Sequence, residues 1–182
     1  MAGIDFRAMA PADVVSVAKL ARAVWNRHYP SIITQAQIDY MLGERYNTER
    51  LTAELGMPEV FWELAWVEGG LAGFSSSIDL ALKDTNEANG VGGANELKLD
   101  KLYVDVAMHR QGVGGALIGR AVARARALGR DALVLAVNKR NEQAIAAYRK
   151  HGFEVRDSVR VDIGQGFVMD DFIMQRTLGI ST

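Results

Sequence analysis

The chain has 182 residues, 49% of them hydrophobic, with a formal net charge of −1 and a pI near 6.3. It can therefore bury one large core, and it provides no overall basic field that would attract nucleic acid. It contains no cysteine and only three dispersed histidines, which excludes disulfides, thiolate metal sites and a cysteine nucleophile and disfavours a histidine metal cluster.

The sequence shows neither a membrane segment nor an interdomain linker. No apolar run is long enough to span a bilayer, and the segment 1–15 lacks the charged and apolar regions of a signal peptide. We therefore expect a cytoplasmic protein that has no membrane partner. Because no linker interrupts the chain, we predict a single domain over 1–182.

Helical and strand patterns alternate along the first half of the chain. Val14, Val17 and Ala21 recur at helical spacing behind Pro11, whose fixed φ suits the start of a helix. Further on, two apolar runs separated by glycines are typical of a β-hairpin. The predicted elements are a strand over 4–9, helices that begin at Pro11, Thr34 and Thr48, a hairpin over 61–80 that turns at Gly69 and Gly70, and a surface loop over 83–95.

A glycine-rich run connects the central strand to a long helix. Residues 96–106 alternate polar and apolar side chains, as a strand does, and helical spacing follows the run. Gly112, Gly114 and Gly115 are therefore expected where the sheet ends and the helix begins. Backbone N–H groups at a helix start lack intrahelical acceptors and carry a partial positive charge, so a turn without Cβ atoms binds phosphate.

We predict a pyrophosphate site at this turn, although two named nucleotide motifs do not describe it. The phosphate loop of nucleoside triphosphatases requires Gly-Lys-Ser/Thr, whereas Ala116 and Leu117 follow here. A dinucleotide fold requires an acidic residue at the end of the next strand, which here ends in Asn138. The alternative explanation is that the glycines only permit tight packing of the helix on the strand.

The elements after the glycine turn resemble those of a known superfamily. An apolar strand over 131–138 precedes a helix that opens at Asn141 and stops at Gly152, and another strand follows. This order is similar to that of the GNAT acyltransferases. The helix-rich segment 25–55, the strand residues 102–104 and the final strand 167–178 are similar to those of bacterial polyamine acetyltransferases. His109 stands where the family pattern has Gln or Arg, which leaves Arg110 or the backbone alone as the phosphate contact. The matching residues are Gly112, Gly114, Asn141, Ala144, Ala147, Tyr148, Gly152 and Phe153.

The resemblance implies a fold and an activity. The fold class would be α/β, with a mixed, mostly antiparallel central sheet and helices on both faces. The activity would be direct transfer of an acetyl group from acetyl-CoA to an amine, without a metal. Within the single domain, 1–95 would form the acceptor side and 96–182 the acetyl-CoA side.

The resemblance also assigns roles to individual residues. Tyr148 would protonate the leaving thiolate, since a phenol with a pKa of about 10 is protonated at neutral pH. The alternative is that Tyr148 only packs its helix against the sheet. Asn141 would hydrogen-bond the pantetheine arm. The other residues expected to contact acetyl-CoA are Leu102, Tyr103 and Val104 on the strand, and Arg110, Gln111, Gly112, Val113, Gly114 and Gly115 at the turn.

Two carboxylates are candidates for the base that accepts the proton of the amine. Glu96 and Asp100 are four residues apart on the central strand, so both side chains point to the same face. Glu96 is our first candidate. The alternatives are Asp100, an ordered water, or carboxylates that are merely solvated or paired with Lys98 or Lys101.

The first half of the chain is expected to select the acceptor. It is rich in aromatic and acidic residues, a combination that suits a cationic amine. We therefore predict a small-molecule amine such as a polyamine as the partner, and leave a homodimer open. The alternatives are a protein N-terminal amine, or a chain that binds coenzyme A without catalysis. The residues concerned are Trp25, Tyr29, Tyr40 and Tyr46 together with Asp39, Glu44, Glu49 and Glu54.

Overall fold

The computed structural model describes residues 3–82 and 91–179. These ranges hold seven strands, five α-helices and short 3-10 turns. The strands are β1 (Ile4–Ala8), β2 (Val60–Val67), β3 (Gly70–Asp79), β4 (Glu96–Val104), β5 (Ala132–Asn138), β6 (Glu154–Gly164) and β7 (Phe167–Thr177). The helices are α1 (Val14–His28), α2 (Gln35–Arg45), α3 (Thr48–Leu55), α4 (Val113–Ala127) and α5 (Glu142–Lys150).

The strands form one mixed sheet in the order β1-β2-β3-β4-β5-β7-β6. Strand β1 pairs with β2, and β7 pairs with both β5 and β6, in antiparallel fashion, whereas β4 and β5 run parallel. This is the mixed, mostly antiparallel sheet that the sequence predicts. The parallel ladder is short, because it runs only from Glu96 opposite Ala132 to Lys98 opposite Val134.

Polar side chains fix where the helices begin. Thr34 accepts a hydrogen bond from the backbone N–H of Gln37 at 3.2 Å, which confirms the predicted start of α2. The predicted cap of α3 is wrong by one residue, because Asn47 rather than Thr48 accepts from the N–H of Arg50, at 2.7 Å. Asn caps helices more strongly than Thr, so the local sequence itself favours Asn47 over Thr48.

Two tight turns connect neighbouring strands. Glu68 and Gly69, with φ of 49° and 78°, turn β2 into β3. The predicted turn at Gly69 and Gly70 is therefore displaced by one residue, since Gly70 already belongs to β3. Gln165 and Gly166 turn β6 into β7 in the same way, with φ of 53° and 79°. Two successive left-handed residues make a turn whose twist matches that of the flanking strands.

The chain divides into two compact units, of which the first comprises 1–76 and 101–117. One buried apolar cluster of this unit joins β2 and β3 to the first turns of α4. Its members are Ala65, Val67, Ala72, Val113 and Leu117.

The second unit comprises 77–100 and 118–182. In it, both carboxylate oxygens of the buried Asp79 accept hydrogen bonds from the Arg130 guanidinium, at 2.8 and 2.9 Å. Asn95, at the end of the predicted surface loop, donates to Asp131 at 2.7 Å. Residues 83–90 of that loop lie outside the described residues. The single domain over 1–182, with its halves 1–95 and 96–182, stays a prediction.

No helix of the described residues is both long enough and apolar enough to cross a membrane.

Candidate active site

The C-terminal end of β4 carries Leu102, Tyr103 and Val104, which are predicted to contact acetyl-CoA. The parallel pairing of β4 with β5 ends at Lys98 and Val134, although β4 itself continues to Val104. The Leu102 and Val104 side chains pack against the apolar cluster of the first unit. The side chains of this strand end are thus anchored in the apolar cluster, while its backbone extends past the part of β4 that pairs with β5.

The turn after β4 contains two residues with left-handed backbone conformations. Arg110 has a φ of 64° and Gly112 a φ of 85°, and α4 begins directly afterwards at Val113. Gly114 and Gly115 therefore lie inside the first turn of α4, whereas the sequence predicts them at the junction itself. The left-handed conformation suits glycine and strains an arginine.

The first turn of α4 presents backbone donors beside open space. Its first hydrogen bond runs from the N–H of Ala116 to the carbonyl of Gly112, at 2.9 Å. The N–H groups of the preceding three residues, 113–115, consequently have no acceptor inside the helix. A Cβ atom built on Gly112 would meet nothing within 4 Å, and one built on Gly114 would meet only Val104 Cγ2, at 3.6 Å. This arrangement fits a phosphate group.

His109, which departs from the family pattern, folds back onto β4. Its Nε2 lies 3.2 Å from the carbonyl oxygen of Val104. Gln111, two residues on, donates from its side-chain amide to the carbonyl of Ala107 at 3.1 Å. Both side chains therefore brace the turn, and sequence reasoning found no role for His109.

Aromatic rings gather in the first unit, as the composition of the first half predicts. Trp25 stacks on Tyr29 with ring centroids 4.2 Å apart, and its centroid lies 5.5 Å from that of Tyr46. Tyr103 on β4 joins this cluster, because its hydroxyl lies 3.1 Å from that of Tyr46. Burial, reinforced by Tyr46, raises the pKa of Tyr103 well above its usual value. Tyr103 is therefore neutral, and the cluster supplies ring faces and hydroxyl groups.

A buried ion pair lies beneath these rings, and sequence reasoning missed it as a pair. The Lys101 ammonium, 1% exposed, donates to both oxygens of Glu54 at 2.9 and 3.1 Å. Its Nζ lies 5.3 Å from the ring centre of Trp62, and Arg50 binds the same carboxylate at 3.0 Å. Glu54 is thus neutralised and cannot attract a cationic acceptor. In the sequence, Leu97 and Leu99 alternate with polar residues along β4, and continuing this period of two places Lys101 on the same, buried face.

A cleft of about 390 Å³ opens between the helices of the first unit. It is lined from α1 by Ala18, Lys19 and Arg22, and from the other side by Leu42, Tyr46, Asn47 and Thr48. The lining carries two cations and no carboxylate, so the cleft favours an anionic group over a polyamine.

Asn141 and Tyr148 lie on α5 in the second unit. Asn141 caps the helix by accepting a hydrogen bond from the N–H of Ala144 at 3.2 Å. Tyr148 is half-buried, its ring centroid 5.7 Å from that of Phe153, and burial raises its pKa to about 12. Gly152, with a φ of 81°, follows the helix as predicted. Tyr148 is therefore a protonated donor at neutral pH.

Both candidate bases already bind cations. Glu96 accepts from Arg156 at 2.6 Å with one oxygen and from the N–H of Gly93 with the other. Asp100 binds Lys98 at 2.9 Å, and its side chain is only 3% exposed. These contacts disfavour either carboxylate as the base. Among the described residues, no group of three or more acidic or histidine side chains is arranged to hold a metal ion.

Comparison with known proteins identifies the family. The model of the acetyltransferase (GNAT) family matches residues 22–153, and the chain therefore belongs to that family. A spermidine N1-acetyltransferase of Thermoplasma acidophilum is 24% identical over 171 residues, covering 92% of this chain and 96% of the relative.

Solved structures show the same fold. The crystal structure of the PaiA N-acetyltransferase from Thermoplasma acidophilum in complex with coenzyme A has a TM-score of 0.79 at 23% identity, covering 97% of this chain and 99% of that one. The ribosomal-protein-S18-alanine N-acetyltransferase of Escherichia coli has a TM-score of 0.66 at 17% identity, covering 99% and 97%. The predicted fold class, and the prediction of an N-acetyltransferase that uses acetyl-CoA, are confirmed. The assignments of individual site residues stay predictions.

Proposed function

We propose that the chain transfers the acetyl group of acetyl-CoA to a primary amine of a small cationic acceptor such as a polyamine. The observation that carries this proposal is the start of α4, where three backbone donors adjoin open space shortly after the end of β4. The 24% identity to a spermidine N1-acetyltransferase supports the choice of acceptor.

The coenzyme is held chiefly by backbone groups. The N–H groups of residues 113–115, with Arg110 and Gln111 beside them, bind the pyrophosphate. The backbone of residues 102–104 aligns the pantetheine and polarises the thioester carbonyl, and Asn141 holds the pantetheine arm. Bound acetyl-CoA supplies an acyl group activated by a good leaving group.

Tyr148 donates a hydrogen bond to the departing sulfur. Its pKa of about 12 keeps the phenol protonated throughout the physiological range. Because a thiol has a pKa of about 8.5, the thiolate is a weaker base than the phenolate, and the raised pKa of Tyr148 favours a hydrogen bond over complete proton transfer as the thiolate departs. Tyr148 therefore acts as a hydrogen-bond donor, while the proton that the amine releases balances the one that the thiolate takes up.

The acceptor amine is recognised by the aromatic cluster of the first unit. The rings of Tyr29 and Tyr103, which stay partly exposed, attract a cation, and their hydroxyls accept hydrogen bonds from it. The buried Trp25 and Tyr46 pack against these two rings. Since the candidate carboxylates are bound to cations, we assign removal of the proton to an ordered water.

A second candidate function, acetylation of a protein N-terminal amine, is favoured by the cleft beside α1. Lys19 and Arg22 line it, and they suit an acidic peptide better than a polyamine. A non-catalytic chain that only binds coenzyme A is the third alternative. In all three cases we place the protein in the cytoplasm, where acetyl-CoA is made, and a homodimer stays a prediction.

A panel of amines separates these functions. The purified chain is mixed with acetyl-CoA and spermidine, spermine, a monoamine, or peptides with neutral and acidic N-terminal segments, and release of free thiol is followed. Thiol release with the polyamines and not with the peptides supports the proposal. Release with acidic peptides alone would establish the second candidate, and coenzyme A binding without any turnover would establish the third.

A further inference from the structure

Gly73 on β3 lies where no side chain fits. A Cβ atom built on it would stand 2.8 Å from the carbonyl oxygen of Tyr103, and Cβ atoms essentially never come within 3.0 Å of another heavy atom. The same Cβ would also lie 3.3 Å from the Cα of Val104 and 3.3 Å from Cγ1 of Val113. Two of these three neighbours are backbone atoms, which cannot rotate away as the end of a flexible side chain can.

The reason for glycine at this position is space and not backbone conformation. The φ of Gly73 is outside the left-handed region, unlike those of Gly69 and Gly112. An alanine could therefore adopt the same backbone without strain, and Gly-to-Ala changes of that kind stabilise a chain slightly through the unfolded state. Any loss caused by Gly73→Ala must then come from the displaced neighbours.

Those neighbours are the two segments that hold the coenzyme in the proposed function. The Tyr103 carbonyl belongs to the peptide group that links it to Val104, so moving it moves the strand end that aligns the pantetheine. Val113 opens α4, and its N–H is one of the three donors at the pyrophosphate turn. Close beside Gly73, Ala72 accepts a hydrogen bond from the N–H of Asp105 at 2.8 Å, which holds β4 against β3 at this point.

We propose that Gly73 is a positioning residue for acetyl-CoA: its missing side chain lets the end of β4 and the start of α4 both approach β3, and so sets the spacing between the pantetheine and pyrophosphate contacts. This inference rests on the proposed function. It is specific to the coenzyme side, so the acceptor amine depends on Gly73 only through the position of the thioester.

Gly73→Ala tests the inference, with Gly70→Ala as the matched control on the same strand. A Cβ on Gly70 would meet only the Val67 carbonyl oxygen, at an ordinary 3.5 Å. Displacement of positioning groups by about 1 Å can cost about 10²-fold, so we expect the smaller shift forced by Gly73→Ala to raise the Kd for coenzyme A and the KM for acetyl-CoA by about ten-fold or more. The KM for the amine should stay within about two-fold, and Gly70→Ala should match the wild type.

A third variant distinguishes a general loss of stability from a specific loss of coenzyme A binding. Leu20→Ala removes a buried side chain from α1 in the same unit, at a position outside the proposed coenzyme contacts. At a temperature where all variants are folded by circular dichroism, Leu20→Ala should keep the wild-type Kd for coenzyme A. If Gly73→Ala binds coenzyme A as well as Leu20→Ala does, the inference is overturned. If Gly73→Ala does not fold, the double variant Gly73→Ala/Val113→Ala, which lacks the Cγ1 contact, is measured by the same criterion.

Calorimetric measurement of coenzyme A binding tests the positioning role of Gly73 separately from the proposed function. Should the wild-type chain acetylate no amine at all, the proposed function fails, yet the Kd values for coenzyme A still test the role of Gly73. Should turnover be normal in the wild type while the Kd of Gly73→Ala is unchanged, only the positioning role fails.

Discussion

Arg110 holds a left-handed backbone at the start of the coenzyme turn. Its φ of 64° strains a side chain with a Cβ, at a cost on the order of 1 kcal/mol or more. Strain of this kind often marks a residue kept for binding. If its guanidinium contacts the pyrophosphate, the binding energy compensates for the strained backbone only in the loaded enzyme.

Replacing Arg110 with glycine should therefore have opposite effects on stability and binding. Arg110→Gly relieves the strain, so we expect the melting temperature of the free protein to rise by about 2–4 °C. The affinity for coenzyme A should fall by about five-fold or more, because a charge-assisted contact is lost. Arg110→Asn serves as the control, because asparagine tolerates the left-handed region better than arginine does. This variant should lose the same affinity for coenzyme A but gain less stability than Arg110→Gly. Unchanged affinity in both variants would mean that the backbone alone binds the phosphates.

Tyr148 offers a second test at the scale of one residue. Tyr148→Phe keeps the ring packing against Phe153 and removes the hydroxyl, so kcat should fall by roughly 10²-fold while the affinity for coenzyme A is retained. Since a phenol with a pKa of about 12 is still almost entirely protonated at pH 10, the wild-type rate should show no decline caused by Tyr148 at pH 7–10. A variant rate within three-fold of the wild type would make Tyr148 a packing residue.

Strand β4 brings predicted and unpredicted groups into one element. Its carboxylates, Glu96 and Asp100, bind Arg156 and Lys98, and its Lys101 binds Glu54. Each carboxylate that could have served as a base thus has a cationic partner. The step that depends on pH should therefore be the loss of the proton by the acceptor amine itself.

The rise of kcat/KM with pH should consequently follow the pKa of the acceptor. Among related amines, those of lower pKa should reach the plateau at lower pH, because a larger fraction is neutral. Glu96→Gln should leave the rise of kcat/KM with pH unchanged and lower only the stability of the fold, which thermal unfolding measures. The matched variant is Asp100→Asn. Two results together would identify Glu96 as the base: the rise of kcat/KM with pH flattens in Glu96→Gln, and in the wild type it occurs at the same pH for all acceptors.

The elements were predictable where their signals are local. The glycine turn, the Thr34 cap and the stop of α5 at Gly152 each depend on residues within a few positions, and all three were predicted. Adjacent Asn47 and Thr48 can both cap a helix, and the structure uses Asn47, the residue type that caps more strongly. Lys101 and Glu54 are 47 positions apart, and no local pattern could show that they meet.

The whole molecule distributes the predicted site residues over both of its compact units. The first unit holds the end of β4, the glycine turn and the aromatic cluster, whereas Asn141, Tyr148 and Glu96 belong to the second. The sequence predicted the family and the fold class because the two motifs of its second half occur in the family order. The pairing of carboxylates with lysines and arginines depends on packing between distant segments, and so does the membership of the aromatic cluster. Neither could be predicted from the sequence.

Binding of acetyl-CoA should stabilise the folded chain, because a ligand that binds only the folded state shifts the unfolding equilibrium. At a ligand concentration of about 100 times Kd, the gain is about 2.7 kcal/mol, which raises the melting temperature by several degrees. Gly114→Val should abolish this shift, because a larger side chain there intrudes beside the backbone donors. The variant should still fold, since the nearest neighbour of the new Cβ, Val104 Cγ2, is 3.6 Å away. A folded Gly114→Val chain with an undiminished shift would remove the turn from the binding site.

The burial of Lys101 also bears on self-modification. An enzyme that binds acetyl-CoA exposes its own amines to an acylating reagent, and Lys101 directly precedes Leu102, whose backbone is assigned to the thioester. Because its Nζ is held by both oxygens of Glu54 and its side chain is only 1% exposed, Lys101 is inaccessible to an acylating reagent. Acetyl marks that accumulate on the purified enzyme, located by peptide mass spectrometry, should accordingly fall on exposed lysines such as Lys19 and spare Lys101.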